Sequence, residues 1–372
     1  MNDTNIVEPK NNIDIFYFLR AIAILCIFGM HSVISTGYRY IYSWFFYTPA
    51  WGGVWTLFVL SGYLIGKGFY KNKYGKDIQG ILNFYLNRII RIIPLYLFFI
   101  FIVFLFISPQ SFIQYNYKII VPLLTLTYNA DPDCAVGATW FISTIMQLYF
   151  LAPLAYKFIF EKIKKHNFII ILSIVLAGLG WRLIANFFKL DHLKIVYMPF
   201  YSNLDLFFAG FALNSITQKS FDSNIKKYLR PISIIAFFAL IITNTYCVSI
   251  WKMWIYRYIF PSLYLVINLL IIYSFDSVDK VKNKPLDFKN ILKNPLRLIE
   301  AFGIISFPFY LFHSDVLGTF TKFFDYYHGN SYLVRIMLTV FTLTTILSII
   351  IYYAIEKPLN NFRVNLNKGR KT

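Results

Sequence analysis

Apolar residues along this chain fall in long runs rather than in alternating or short periodic patterns. The runs are about 20 residues long, the length that crosses a bilayer as helix. Ten such spans are predicted, at 15–34, 52–70, 91–108, 139–158, 167–186, 199–216, 231–250, 255–275, 299–320 and 334–355. Polar, basic stretches separate them: KNKYGK, EKIKKH, KKYLR and DKVKNKPLDFKNILKNPLR. The expected fold class is therefore an all-α polytopic membrane protein with about ten transmembrane helices. Both termini are expected in the cytoplasm, because about 26 of the Lys and Arg residues then fall on the inner side and about 8 on the outer. The domain reading is a cytoplasmic segment 1–14, a transmembrane domain 15–356 and a basic cytoplasmic tail 357–372.

Composition agrees with this pattern. Of 372 residues, 58% are hydrophobic and 14% charged, and the net charge is +19. In a membrane protein that excess belongs to cationic loops, so no nucleic-acid partner is expected. Three cysteines, Cys26, Cys134 and Cys247, form no C-x-x-C and no disulfide framework. Cys134 is placed on the outer side, in the longest outward loop, 109–138. No metal site is expected. The first apolar run lacks a small-residue cleavage pattern and reads as a retained helix.

Ionisable residues interrupt the apolar runs, and these carry the candidate chemistry. Arg20 and His31 lie eleven residues apart on the first span, close to three turns, so they share a face about 16 Å apart along the axis. Arg20 either snorkels to the inner headgroups or lines an internal path. His31 is either a packed, hydrogen-bonded imidazole or a reactive group. Arg88 and Arg91 share a face at the start of the third span. They serve either as basic anchors or as a fork for phosphate, which guanidinium groups match bidentately. His313 and Asp315 fall in the ninth span, Asp205 in the sixth, and Glu356 closes the tenth, where it is positioned to offset Arg20, Arg88 or Arg91.

Taken in order, these residues resemble the integral-membrane acyltransferase 3 family, which includes O-acetyltransferases of bacterial surface polysaccharides. Arg20 with His31 resembles its Arg-x10-His signature, Arg88 with Arg91 its Arg-x-x-Arg motif, and FVLSGYLIG at 58–66 its second helix. TWFISTIMQLYFLAPL, NLDLFFAGFAL, FYLFH and EKPL are similar to later stretches. One departure is Ala21, where many members carry Gly. The hydrolase-like domain fused to some relatives is not expected with this chain, and acceptor handling is expected of the membrane part or a partner.

The resemblance implies transfer of an acyl group, usually acetyl, to a carbohydrate hydroxyl, in a multi-pass protein of the bacterial cytoplasmic membrane. No cofactor is expected to be held tightly. Acetyl-CoA or another acyl-CoA is the expected cytoplasmic donor, with Arg88, Arg91 and Arg20 on its phosphates. A pantetheine arm spans a distance comparable with that from Arg20 to His31. His31 is the expected general base, with a covalent acyl-histidine as the other route. His313 is a second proton-transfer candidate. Asp315, Asp205 and Ser61 are candidates to orient or line the site, and Tyr310, Trp140 and Tyr149 to stack on sugar rings. Expected partners are a surface glycan or its lipid-linked precursor and membrane lipids, with a homodimer left open. Two other readings stand beside this one: a transporter or flippase for lipid-linked sugars, and a noncatalytic subunit of a surface-polymer machine.

Overall fold

A computed structural model describes residues 14–36, 50–75, 77–128, 136–162, 167–217, 223–249, 253–276, 295–324 and 332–369. Cys134, segment 1–13 and most of the basic 279–297 stretch lie outside the described residues. The regular elements described are helical. They are α1 (Ile15–Thr36), α2 (Ala50–Tyr70), α3 (Ile78–Ile102), α4 (Pro109–Leu124), α5 (Trp140–Ala155), α6 (Asn167–Phe187) and α7 (Leu204–Thr217). After them come α8 (Ser223–Ser249), α9 (Met253–Tyr258), α10 (Phe260–Phe275), α11 (Pro295–Ile304), α12 (Ser306–Phe324), α13 (Tyr332–Ile351) and α14 (Lys357–Gly369). The basic tail is therefore mostly helix.

The expectation of ten spans is overturned. Among the described residues, five helices are long and apolar enough to cross a membrane: Ile15–Thr36, Ile78–Ile107, Gly137–Phe160, Phe168–Phe187 and Tyr332–Leu366. A bent pair, Leu296–Ile304 with Ser306–Lys322, makes six if it is one span. The reasons are local. The 52–70 run does form a helix, α2, but Gly, Trp, Tyr, Ser and Lys67 dilute its apolar character. The 199–216 run divides into a 3-10 turn, Phe200–Asn203, and the 14-residue α7, about 21 Å long. Within 255–275, Pro261 lacks the N–H that would continue the helix, which breaks into α9 and a 16-residue α10. At about 24 Å, α10 falls short of a hydrocarbon core of about 30 Å. The 231–250 run lies in α8, which opens on Lys226, Lys227 and Arg230 and is not among the five.

Close backbone contact organises the centre. A Cβ at Gly62 would stand 1.9 Å from the Phe207 carbonyl oxygen, and one at Gly210 would stand 2.3 Å from that of Val59. Glycine on both helices lets α2 and α7 cross at backbone distance, the small-residue packing that joins membrane helices. Side-chain hydrogen bonds tie α2 to its neighbours: Asn214 Nδ2 of α7 donates to the Tyr63 carbonyl at 2.8 Å, and Asn268 Nδ2 of α10 to Thr56 Oγ1 at 3.1 Å. At one end Asp276 accepts from Lys67 Nζ at 2.6 Å and from the Tyr63 hydroxyl.

One further contact and a bend set the site. Gly303 on α11 sits against the Tyr17 carbonyl of α1. Beyond it the chain bends by 79° before α12. Pro308 explains the bend, since it has no N–H for the Ile304 carbonyl and its ring clashes there. Phe309 then restarts the ladder by donating to Ile305 at 3.2 Å.

Candidate functional site: a paired-histidine cavity and an arginine cluster

The bend after α11 carries α12 along α1, and the two helices bring His31 and His313 together. Nδ1 of His31 lies 2.8 Å from Nε2 of His313. The ring centroids are 5.0 Å apart and the planes 8° apart. Such near-coplanarity is what an in-plane N–H···N bond requires. The other nitrogen of His313, Nδ1, lies 2.6 Å from the Tyr310 carbonyl oxygen. A carbonyl only accepts, so His313 Nδ1 carries a proton and donates it. With both rings neutral, His313 Nε2 is then the acceptor and His31 Nδ1 the donor. This network leaves the lone pair of His31 on Nε2, away from His313. His313 is fully buried against Phe28 and Phe309.

His31 lines a cavity of about 650 Å³, together with Trp51, Trp140, Tyr197, Tyr310, Ser314, Asp315 and Lys322. Asp315 is 8% exposed, and its Oδ2 has no hydrogen-bond partner. Aromatic rings form one wall. Trp51 stacks on Tyr256 at 4.6 Å and on His192 at 4.7 Å, and Trp140 meets Tyr197 at 5.0 Å. The Tyr310 hydroxyl donates to the Ala138 carbonyl at 2.9 Å, which ties α12 to the lead-in of α5.

The other end of α1 faces a cluster of arginines. Arg20 stands over the Tyr17 ring at 5.8 Å. Arg88 lies over Phe84 and Tyr149, and its Nη2 donates to the Tyr74 hydroxyl at 2.9 Å. Glu356, 8% exposed with Oε2 unpartnered, lies in the field of Arg91, Arg20 and Arg363. In the turn before α3, burial pushes the Tyr74 phenol up, but Arg88, Lys73 and Arg363 outweigh this and hold it below its ordinary value.

Of the candidates read from the sequence, His31, Trp140, Tyr310 and Asp315 thus meet at one cavity, with His313 directly behind it. Arg20, Arg88 and Arg91 gather at the opposite end with Glu356. Three candidates stand apart. Asp205 is engaged by Arg182 through two bonds of 2.7 and 2.9 Å, deep between α6 and α7. Ser61 is half-buried on α2 and does not line the cavity. Tyr149 faces Arg88 rather than the aromatic wall. Trp51, Tyr197 and Lys322 were not singled out from the sequence. Nothing in their local patterns distinguishes them from core or anchoring residues.

Fold and site together describe an all-α, multi-pass membrane protein with an imidazole pair between a cavity and a cationic mouth. The chain belongs to the acyltransferase family whose domain model, described as an acyltransferase domain, matches residues 12–356. Among curated proteins it is similar to the O-acetyltransferase OatA of Staphylococcus aureus strains NCTC 8325 / PS 47 and COL. Each is 27% identical over 330 residues, covering 82% of this chain and 52% of the relative. The chain spans about half the length of these relatives. No solved structure matches it significantly.

Proposed function

We propose that this membrane acyltransferase moves an acetyl group from cytoplasmic acetyl-CoA to a hydroxyl of a cell-surface or lipid-linked carbohydrate, with His31 as general base. The observation that carries this reading is the hydrogen-bonded series from the Tyr310 carbonyl through His313 to His31 at the cavity wall. It holds His31 in the tautomer with a basic Nε2, as a buried acceptor behind a histidine does in hydrolytic triads. The acceptor hydroxyl gives its proton to Nε2 as its oxygen attacks the thioester carbonyl. The tetrahedral intermediate then collapses, the carbon–sulfur bond breaks, and the departing thiolate takes the proton back from His31. His313 positions and polarises His31 rather than touching substrate.

The remaining groups fit the two substrates. Arg20, Arg88 and Arg91 suit the phosphates of the donor. Trp140, with Trp51 beside it in the cavity lining, offers apolar surface to a sugar ring, and the unpartnered Asp315 oxygen suits one of its hydroxyls. The choice of acetyl, and of oxygen as its destination, draws on the relatives' name. The test is acetate released by mild base from glycans of cells expressing the chain. His31→Ala, inserted at wild-type levels, is expected to lower that signal by at least about 10²-fold. Undiminished acetylation in this variant would remove His31 from the chemistry.

A further inference from the structure

We propose that Arg363, near the C-terminal end of the Tyr332–Leu366 helix, is a specificity-determining residue that binds the donor's outermost phosphate. This assignment rests on the donor reading above and adds to it a residue and a substrate feature.

Position comes first. Helix continues from α13 through a π turn, Tyr352–Glu356, into α14. Arg363 is seven residues after Glu356, about two turns, and so returns to the same face. That face meets α3, against which α14 packs. The neighbours of Arg363 point elsewhere: Phe362 is 55% exposed and Val364 46%, whereas Arg363 is half-buried. Its guanidinium lies within electrostatic reach of Arg91, Arg88, Tyr74 and Glu356.

Charge supplies the second argument. Arg20, Arg88, Arg91 and Arg363 come from three helices and are linked as electrostatic neighbours; Arg20, Arg91 and Arg363 face Glu356, and Asp14 lies near Arg20. Like charges held close repel, and more strongly where burial lowers the local dielectric. A fold that gathers four guanidinium groups against two carboxylates keeps a net positive charge and is matched by a ligand with several negative charges. A buried donor remains open inside the cluster, at Arg88 Nε.

Order along the path assigns the phosphates. Arg20 lies within a span and leads along α1 toward His31. Arg363 lies on α14 and has Arg91, Arg88 and Tyr74, of the turn before α3, as electrostatic neighbours, whereas Arg20 neighbours Arg91 and Tyr17 of α1, so Arg363 stands on the loop side of the cluster. In acyl-CoA the phosphate remote from the thioester arm is the 3′-phosphate of the ribose, so Arg363 pairs with that group. An anionic lipid headgroup offers the same phosphate chemistry, and the test separates the two.

The experiment is calorimetric titration of CoA and of 3′-dephospho-CoA into the full chain in zwitterionic nanodiscs, repeated with phosphatidylglycerol present. Wild type is expected to bind CoA about tenfold more tightly than dephospho-CoA, the scale of one charge-assisted phosphate contact. In Arg363→Gln that preference collapses, dephospho-CoA binding stays as in wild type, and Arg363→Lys restores part of it. Equal weakening of both ligands, or no change in either, overturns the assignment. So does an effect of Arg363→Gln confined to competition by phosphatidylglycerol. Failure of wild type to bind CoA in any form instead overturns the donor reading on which the assignment stands.

Discussion

At the residue scale, His31 and His192 show how neighbours decide what an imidazole does. His31 is held by one donated bond and keeps an open nitrogen at the cavity. His192, outside the spans, is packed under Trp51. Burial, joined by the nearby Arg257 charge, pushes its pKa down to about 4. An unfolded chain protonates this group near pH 6.5, whereas the folded protein resists until about pH 4. The associated stability is therefore fully present above pH 6.5 and is lost as pH falls toward 4, by up to about 3 kcal/mol. Thermal unfolding of the detergent-solubilised protein is expected to fall more steeply over pH 6.5–4.5 in wild type than in His192→Phe, which keeps the stacking face. Parallel slopes would mean that His192 takes up its proton equally readily in the folded and unfolded chains, and would overturn the downward shift.

At the element scale, the bend between α11 and α12 aligns the histidine pair. Pro308 removes the hydrogen bond that would carry α11 straight on, and the 79° turn lets α12 lie along α1. Pro308→Ala restores a donor for the Ile304 carbonyl and favours a straighter helix. The expected outcome is acetylation reduced at least about tenfold, with melting temperature held or raised. Wild-type acetylation in this variant would show that packing of Gly303 on Tyr17 alone maintains the bend. The same glycine lies inside what reads in sequence as one continuous apolar run, 299–320. Hydropathy registers the run; it does not register an angle.

At the scale of the whole molecule, α1 links two unlike ends. One collects arginines from α1, α3 and α14; the other collects aromatic rings from α2, α5 and the turn before α7 around the cavity. Placement of these ends on opposite membrane faces is tested with single cysteines in a background lacking Cys26, Cys134 and Cys247. In sealed inside-out vesicles, an impermeant maleimide is expected to label Arg363→Cys and spare Thr319→Cys. Right-side-out vesicles should show the reverse. Labelling of both from one face would contradict a donor and an acceptor approaching from opposite sides.

Much of this protein was legible in its sequence. Ionisable groups in apolar runs stand out, so Arg20, His31, Arg88, Arg91, His313 and Asp315 were visible as candidates, and three turns of helix placed Arg20 and His31 on one face. Helix periodicity is local, so it survives without the fold. The number of spanning helices was misjudged, because apolar length alone does not reveal where Pro261, Pro308 and the Phe200–Asn203 turn interrupt the helix. Pairing across distance was not legible either. Asp205 looked as available as Asp315 until Arg182, 23 positions away, was seen to engage both of its oxygens. His31 and His313 are 282 residues apart, and no spacing rule joins them. The sequence by itself determined which residues are costly to bury. Only the tertiary structure decided which of them are satisfied by a partner and which keep an open atom at a cavity, because that depends on helices meeting in space.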